Sequence, residues 1–261
     1  MSIPSQMSPA SRAVPEGLDK AGPGRIMSRM LQDSMPALQR ELKFVFPNVR
    51  ARVIREWLDV RCRPDPQFAA GRIFSIYFDT PEGHLLDEKI NSDYLKTKVR
   101  LRWYGDWETG RPAGGVFLEI KCRIGSSRKK HRQRLEWPAA DVAALALGDP
   151  RLLAVNRLAA AAGYRFSGPL RPVVCVAYRR RRYLEGAAGI RICLDQDIAA
   201  VQTHPALGPM GPRPPIDDGV FEVKGTAERL PETLAPLIRL GCRRQSFSKF
   251  QRCLAPLAAD F

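Results

Sequence analysis

The sequence predicts an α+β domain in which antiparallel β-strands close into a barrel with a polar lumen and helices pack outside it. The first observation lies between Asp93 and Gly105. There Lys96, Lys98, Arg100 and Arg102 fall on one face of an extended chain, and Leu95, Val99, Leu101 and Trp103 fall on the other, because successive strand side chains point opposite ways. The second is that the pattern recurs. Glu119, Lys121 and Arg123 share a face opposite Leu118, Ile120 and Cys122, and Arg128, Lys130, Arg132 and Arg134 form another row. Tyr178, Arg180 and Arg182 alternate with Arg179 and Arg181, Arg191 stands in phase with Asp195 and Asp197, and Glu222 stands in phase with Lys224. The third is the sign of the charge: aligned cations repel, so rows with few acids are expected to face a polyanion. For any one strand, a solvated basic face is the plain alternative. Repeated over six strands, a charged inner face and an apolar outer face suit a barrel whose core lies outside the wall.

Taken in order, residues 1 to 36 are rich in Ser, Pro, Gly and Met without a sustained apolar period and are expected to form a mobile leader, with one domain over 37–261. A strand from Arg40 to Phe46 puts Glu41, Lys43 and Val45 on one side; Pro47 ends it, and Val49 to Val60 has helical spacing. Arg72 to Thr80 is a strand stopped by Pro81, and Leu85 to Ser92 is expected to be a polar connection. Asp106 to Gly114 is expected to form a hairpin loop and Gly125 to Ser127 a turn. Asp141 is placed as the cap of a helix through Leu147, and Pro150 opens another through Ala162. Strands from Val173 to Leu184 and from Ile190 to Ile198 follow, joined by a turn at Gly186 to Gly189. Five prolines between Thr203 and Gly219 exclude regular structure there. The last strand is Val220 to Lys224, with closing helices over Pro231–Leu240 and Phe247–Ala259.

Lys and Arg number 42 against 27 Asp and Glu, a net charge of +15, which calls for an anionic partner: nucleic acid, anionic lipid or phosphate-rich small molecules. The cations alternate with apolar residues along strands instead of lying on a surface helix or an aromatic-studded sheet, which argues against specific nucleic-acid binding. No apolar run approaches the roughly 20 residues that span a bilayer, and the N-terminus lacks a secretory apolar core, so a cytoplasmic location is expected. The six cysteines include no CxxC pair and the three histidines do not cluster with them, which points to reduced, buried thiols and not to a zinc site.

Eight segments occur in an informative order: Glu41-Leu42-Lys43-Phe44, Ser75-Ile76-Tyr77-Phe78-Asp79, Val99 to Gly105, Leu118-Glu119-Ile120-Lys121, Tyr178-Arg179-Arg180, Ile190 to Asp195, Phe221-Glu222-Val223-Lys224 and Ser246-Phe247-Ser248-Lys249-Phe250. Each alone is a weak signal. Together, over Arg40 to Leu254, they resemble the VTC domain, the polyphosphate polymerase branch of the triphosphate tunnel metalloenzyme (CYTH-like) superfamily. The resemblance implies a phosphotransferase that moves the γ-phosphoryl group of ATP onto a growing polyphosphate chain within a basic tunnel. By matching motifs it implies a phosphate-binding set of Lys43, Arg100, Arg102, Lys121, Arg180, Arg191 and Lys249, with Lys130 or Arg132 filling one more position. It also implies Glu222 as ligand to Mn²⁺ or Mg²⁺, and ATP with inorganic polyphosphate or pyrophosphate as the bound species.

One departure stands out. Hydrolytic members of the superfamily begin with an ExExK pattern, and here the first position is Gln39, leaving Glu41 and Lys43. Fewer carboxylates weaken activation of water, which favours transfer over hydrolysis. A tripolyphosphate or nucleoside triphosphate hydrolase and a non-catalytic polyphosphate-binding module remain the alternatives. Asp195 and Asp197 either orient Arg191 or are ordinary strand-end residues, the structural role being favoured, and Tyr178 is either wall packing or a phosphate contact. The sensing domain and membrane spans of eukaryotic relatives are not found in the sequence, so regulation or product translocation is expected either to come from other chains or to be absent.

Overall fold

Strand β1 (Arg40–Pro47) enters a single antiparallel sheet beside β9 (Asp218–Gly225). The computed structural model describes residues 40–258 except 92, 126, 187–189, 209–210 and 226–227. The expected leader, Gln39, Ser126, the turn residues 187–189 and Ala259 lie outside the described residues. The remaining strands are β2 (Arg63–Pro64), β3 (Ala70–Asp79), β4 (Leu95–Gly105), β5 (Pro112–Ile124), β6 (Ser127–Pro138), β7 (Arg171–Glu185), β8 (Ile190–Thr203) and β10 (Arg243–Arg244). Their order is β10-β1-β9-β8-β7-β3-β4-β5-β6, with β2 paired to β7 off this path. Among the described residues β6 and β10 do not pair. The sheet curls without closing, and the expected closed barrel is corrected to an open, strongly curved sheet.

Curvature brings the two ends of the sheet together through side chains. Lys121 on β5 feels the charges of Glu41 on β1 and Lys224 on β9, and Lys98 on β4 feels Lys43 on β1. The segment before the last helix, Lys249–Ala258, lies between them: Lys43 Nζ donates to the Phe247 carbonyl at 3.3 Å, and Lys98 Nζ donates to Ser248 Oγ at 3.0 Å.

The helices are α1 (Ala51–Arg61), α2 (His84–Ile90), α3 (Ala139–Ala143), α4 (Ala154–Ala161), α5 (Pro236–Arg239) and α6 (Lys249–Ala258). Helix α2 replaces the expected polar connection. Asp79, at the end of β3, accepts hydrogen bonds from the Leu85 and Leu86 amides (2.8 and 2.9 Å), and Thr80 Oγ1 accepts from His84 N. The cap comes from the preceding strand, which the local periodicity did not reveal. Helix α3 starts two residues before Asp141, and Pro150 opens a 3₁₀ turn capped by Asp149 before α4 begins. Strand β8 continues to Thr203, and the Pro231–Leu240 helix is reduced to a 3₁₀ turn and the short α5.

Three apolar clusters hold the sheet. Leu101, Val99, Leu118, Ile120, Leu152 and Val155 belong to one on the convex side of β4 and β5, covered by α3 and α4. Ile54 and Leu58 of α1 join Phe44, Ile192, Phe221 and Leu237 in a second, also convex. The third departs from the expectation that helices lie outside. Phe250, Cys253 and Leu254 of α6 pack with Val45, Tyr77, Tyr178 and Val220 on the concave face, and Phe250 stacks on Tyr77 at 5.0 Å between centroids. Helix α6 therefore plugs part of the lumen. Close approach fixes Gly219, where a Cβ would lie 2.3 Å from the Phe46 ring. No described helix is long and apolar enough to cross a membrane. All six cysteines are free thiols, five of them buried.

Candidate functional site

Register turns the rows of cations into rungs. Lys96, Arg123 and Arg128 stand directly opposite one another across β4, β5 and β6. So do Lys98, Lys121 and Lys130, then Arg100, Glu119 and Arg132. The first two rungs hold no acid. In the third, Glu119 is 1% exposed and gathers four cations: Arg100 at 2.5 Å, Lys130 at 3.5 Å, and Arg102 and Arg132 at 3.6 Å each. Burial pushes the Glu119 carboxyl up, but Arg100, Arg102 and Lys130 outweigh it and hold the group well below the usual carboxylate range. Arg100 is further fixed by Tyr77 Oη at 3.2 Å, and Arg102 by Ser75 Oγ at 3.1 Å and Tyr178 Oη at 3.2 Å.

A second group forms where β1, β7, β8, β9 and α6 meet. Asp195 is fully buried; it accepts two hydrogen bonds from Arg180 at 2.5 and 2.6 Å and pairs with Lys249 at 2.5 Å. Glu222 lies 3.3 Å from Lys224, 3.5 Å from Arg180, 3.6 Å from Lys43 and 3.7 Å from Lys249. Burial opposes ionisation of Asp195 and Glu222, yet the surrounding cations keep both below the ordinary range. Glu41 stands opposite Lys224 and Lys43 opposite Glu222, so these four residues form a checkerboard of alternating charge across the β1–β9 pair. Lys249 also lies over the Tyr178 ring, 4.7 Å from its centroid.

The acid-free rungs behave differently. Burial, reinforced by Lys43, Arg100, Lys89 and Lys121, pulls Lys98 down to about 7. Burial and Arg100 do the same to Lys121, also to about 7, despite the opposing pull of Glu41 and Glu222. Without an anionic ligand, two ammonium groups in this concavity are therefore partly deprotonated near neutral pH.

Of the residues singled out from sequence, Lys43, Arg180, Lys249 and Glu222 come together in the second group, and Arg100, Arg102 and Lys130 come together around Glu119. Lys121 lies between the groups. Arg191 joins neither: it is exposed on β8, opposite Lys224 at the rim. Both candidates for the ambiguous basic position, Lys130 and Arg132, reach Glu119. Asp195 orients Arg180 and Lys249, not Arg191. Sequence reasoning passed over Glu119, Lys98 and Lys224 as site members. Glu119 carried the same signal as Glu222, an acid in phase with a cationic row.

A divalent cation fits this site in one way. Among the described residues no three His, Cys, Asp or Glu side chains converge, so the protein alone does not form a cage. Glu222 and Glu41, diagonal neighbours on β9 and β1, offer hard oxygen donors, which suit a cation completed by phosphate oxygens and water.

The architecture is thus a mostly antiparallel β-sheet with helices, whose concave face carries the cations in rungs around buried carboxylates. The family model of the VTC domain matches residues 38–258, and the chain belongs to that family. No curated protein matches it. Several solved structures are similar. One is a putative adenylyl cyclase from Hippeastrum, described as having a dominant triphosphatase activity: 14% identity, TM-score 0.49, covering 84% of this chain and 95% of that one. A Pyrococcus horikoshii protein is 16% identical with a TM-score of 0.46, covering 83% of this chain and 99% of that one. A putative adenylate cyclase from Bacillus halodurans is 14% identical with a TM-score of 0.47, covering 83% and 96%.

Proposed function

We propose that this VTC-domain chain is a metal-dependent phosphotransferase that passes the γ-phosphoryl group of ATP to a growing polyphosphate chain on its concave face. The observation that carries the reading is the distribution of charge. Arg100, Arg102, Arg180 and Lys249 are held in fixed orientations by buried acids and phenols, while the neighbouring rungs of Lys96, Lys98, Lys121, Lys130, Arg123 and Arg128 contain no acid of their own, Lys130 reaching across to Glu119. Phosphoryl transfer needs little covalent help. It needs a phosphate chain held in line and its charge neutralised, which fixed guanidinium forks and ammonium groups supply. In this reading the ordered cations grip the triphosphate and the acid-free rungs hold the acceptor chain.

Glu222, with Glu41, would hold Mn²⁺ or Mg²⁺ against the phosphates, and the metal would add charge neutralisation at the phosphate oxygens. Transfer to phosphate is favoured over transfer to water because Glu119, Asp195 and Glu222 are kept strongly acidic by their cations and so make poor general bases. Lys98 and Lys121 regain their protons once phosphates enter beside them, which removes them as bases too.

The test is incubation of the protein with ATP and Mn²⁺ or Mg²⁺, resolving products by gel, assaying free phosphate in parallel, and repeating with Glu222→Gln. Long polyphosphate that vanishes in the variant supports the reading. Free phosphate without polymer assigns a hydrolase, and tight tripolyphosphate binding with no turnover assigns a binding module.

A further inference from the structure

On the convex face, away from the lumen, a second cationic cluster has no part in the site above. Arg72 on β3 stands directly opposite Arg179 on β7, and Arg181 follows two residues on, so all three point to the same side of the sheet. The turn between β4 and β5 folds over them. Trp107 sits with the guanidinium carbons of Arg181 and Arg179 over its ring, 4.8 and 5.3 Å from the centroid. On the same turn Gly110 lies against Arg72, close enough that a Cβ there would come within 3.0 Å of its Nη1. The turn is itself braced: Asp106 accepts from the Glu108 and Thr109 amides and from Thr109 Oγ1, which spends its carboxylate inside the loop.

The cluster is short of anions. The acid paired with it is Asp197, 3.9 Å from Arg179. The Asp197 carboxylate already accepts hydrogen bonds from Asn48 Nδ2 and Gln196 Nε2, and the Asp197 amide donates to Asn48 Oδ1. Arg72 Nε and Arg181 Nε are buried with no hydrogen-bond partner among the described residues. A guanidinium over an aromatic face keeps its in-plane N–H groups free. Fixing the plane in advance also lowers the cost of engaging a bidentate oxyanion.

The geometry points to a second phosphate-binding site outside the lumen, formed by Arg72, Arg179 and Arg181 under Trp107, that takes a segment of inorganic phosphate chain. The choice of phosphate over carboxylate rests on the phosphate chemistry proposed for the concave face. Single-stranded nucleic acid is disfavoured because the indole already carries two guanidinium groups over its ring and is not a free platform for a base.

Tripolyphosphate, too short to bridge the two faces, is titrated calorimetrically into the full chain without nucleotide or metal at constant salt. Wild type is expected to show two sites. Arg179→Gln/Arg181→Gln is expected to lose one, or to bind there about tenfold or more weakly, with an unchanged melting profile. Arg179→Lys/Arg181→Lys keeps the charge without the fork and is expected to weaken the same site by a smaller factor, which covers the case of a glutamine variant that does not fold. Arg61→Gln/Arg239→Gln, which removes two exposed cations elsewhere, is expected to retain both sites. A wild-type titration that Arg179→Gln/Arg181→Gln leaves unchanged in the number and affinity of its sites, or loss of a site in the Arg61/Arg239 control, overturns the proposal. So does a single-stranded oligonucleotide that displaces tripolyphosphate from this site at lower concentration than polyphosphate of equal charge. No turnover is involved, so failure of phosphotransfer and failure of this site are read separately.

Discussion

Arg180 and Asp195 stand directly opposite each other on β7 and β8, joined by two hydrogen bonds of 2.5 and 2.6 Å, and Asp195 is closed to solvent. The pair also sets Lys249, which reaches the same carboxylate from the start of α6. Removing one partner leaves buried charge uncompensated. We expect Asp195→Ala to cost about 3–5 kcal/mol in urea unfolding and to abolish turnover. Asp195→Asn keeps the shape and should cost less. Unchanged unfolding midpoints in both variants would show that the pair is not buried as described.

Glu119 balances four cations that the sequence treats as an unrelieved row. A cationic row by itself suggests that deleting one arginine relieves repulsion; the structure corrects this for Arg100, whose guanidinium is bound to a buried acid. We expect Glu119→Gln to bind tripolyphosphate more tightly at low salt, because the concavity gains net positive charge, yet to turn over more slowly, because Arg100 and Arg102 lose their anchor. Steady-state kinetics and calorimetry at two salt concentrations check both halves. Weaker binding in the variant would place the phosphates away from this rung.

Lys98 and Lys121 link binding to protons. Their folded-state values of about 7 lie below the ordinary lysine range. Their destabilising effect on the free protein is therefore full below about pH 7 and fades as pH rises towards the unfolded value of about 10.4. A phosphate chain restores their charge. We expect proton uptake by the protein on tripolyphosphate binding at a pH above the last ionisation of tripolyphosphate, where both lysines start neutral and the ligand has no proton left to release, and affinity that falls as the pH is raised further. Calorimetry in two buffers of different ionisation enthalpy measures the uptake. Equal apparent enthalpies in both buffers would contradict it.

Leu101 tests which face is which. It is fully buried in the convex cluster, with its neighbours Arg100 and Arg102 pointing into the concavity. Leu101→Ala is expected to cost about 2–5 kcal/mol while turnover per folded molecule persists. A neutral effect on stability would invert the assignment of the strand's faces.

The sequence by itself determined which side chains share a face: Lys98 with Arg100 and Arg102, Lys43 with Glu41, Glu222 with Lys224. That follows from the two-residue period of an extended backbone, which is local. It also determined the apolar faces at Leu101 and Leu118, and most strands to within a few residues. Only the tertiary structure decided which charges meet. Asp195 serves Arg180 and Lys249 and not its own-strand neighbour Arg191, and Glu119 becomes a hub because β4 and β6 bring cations to it in register. It likewise decided that α6 enters the concavity, that Asp79 caps a helix where a loop was expected, and that the sheet curls without closing. These outcomes depend on strand register, curvature and contacts between residues far apart in the chain. The backbone period fixes the direction of a side chain, whereas its partner is fixed by packing.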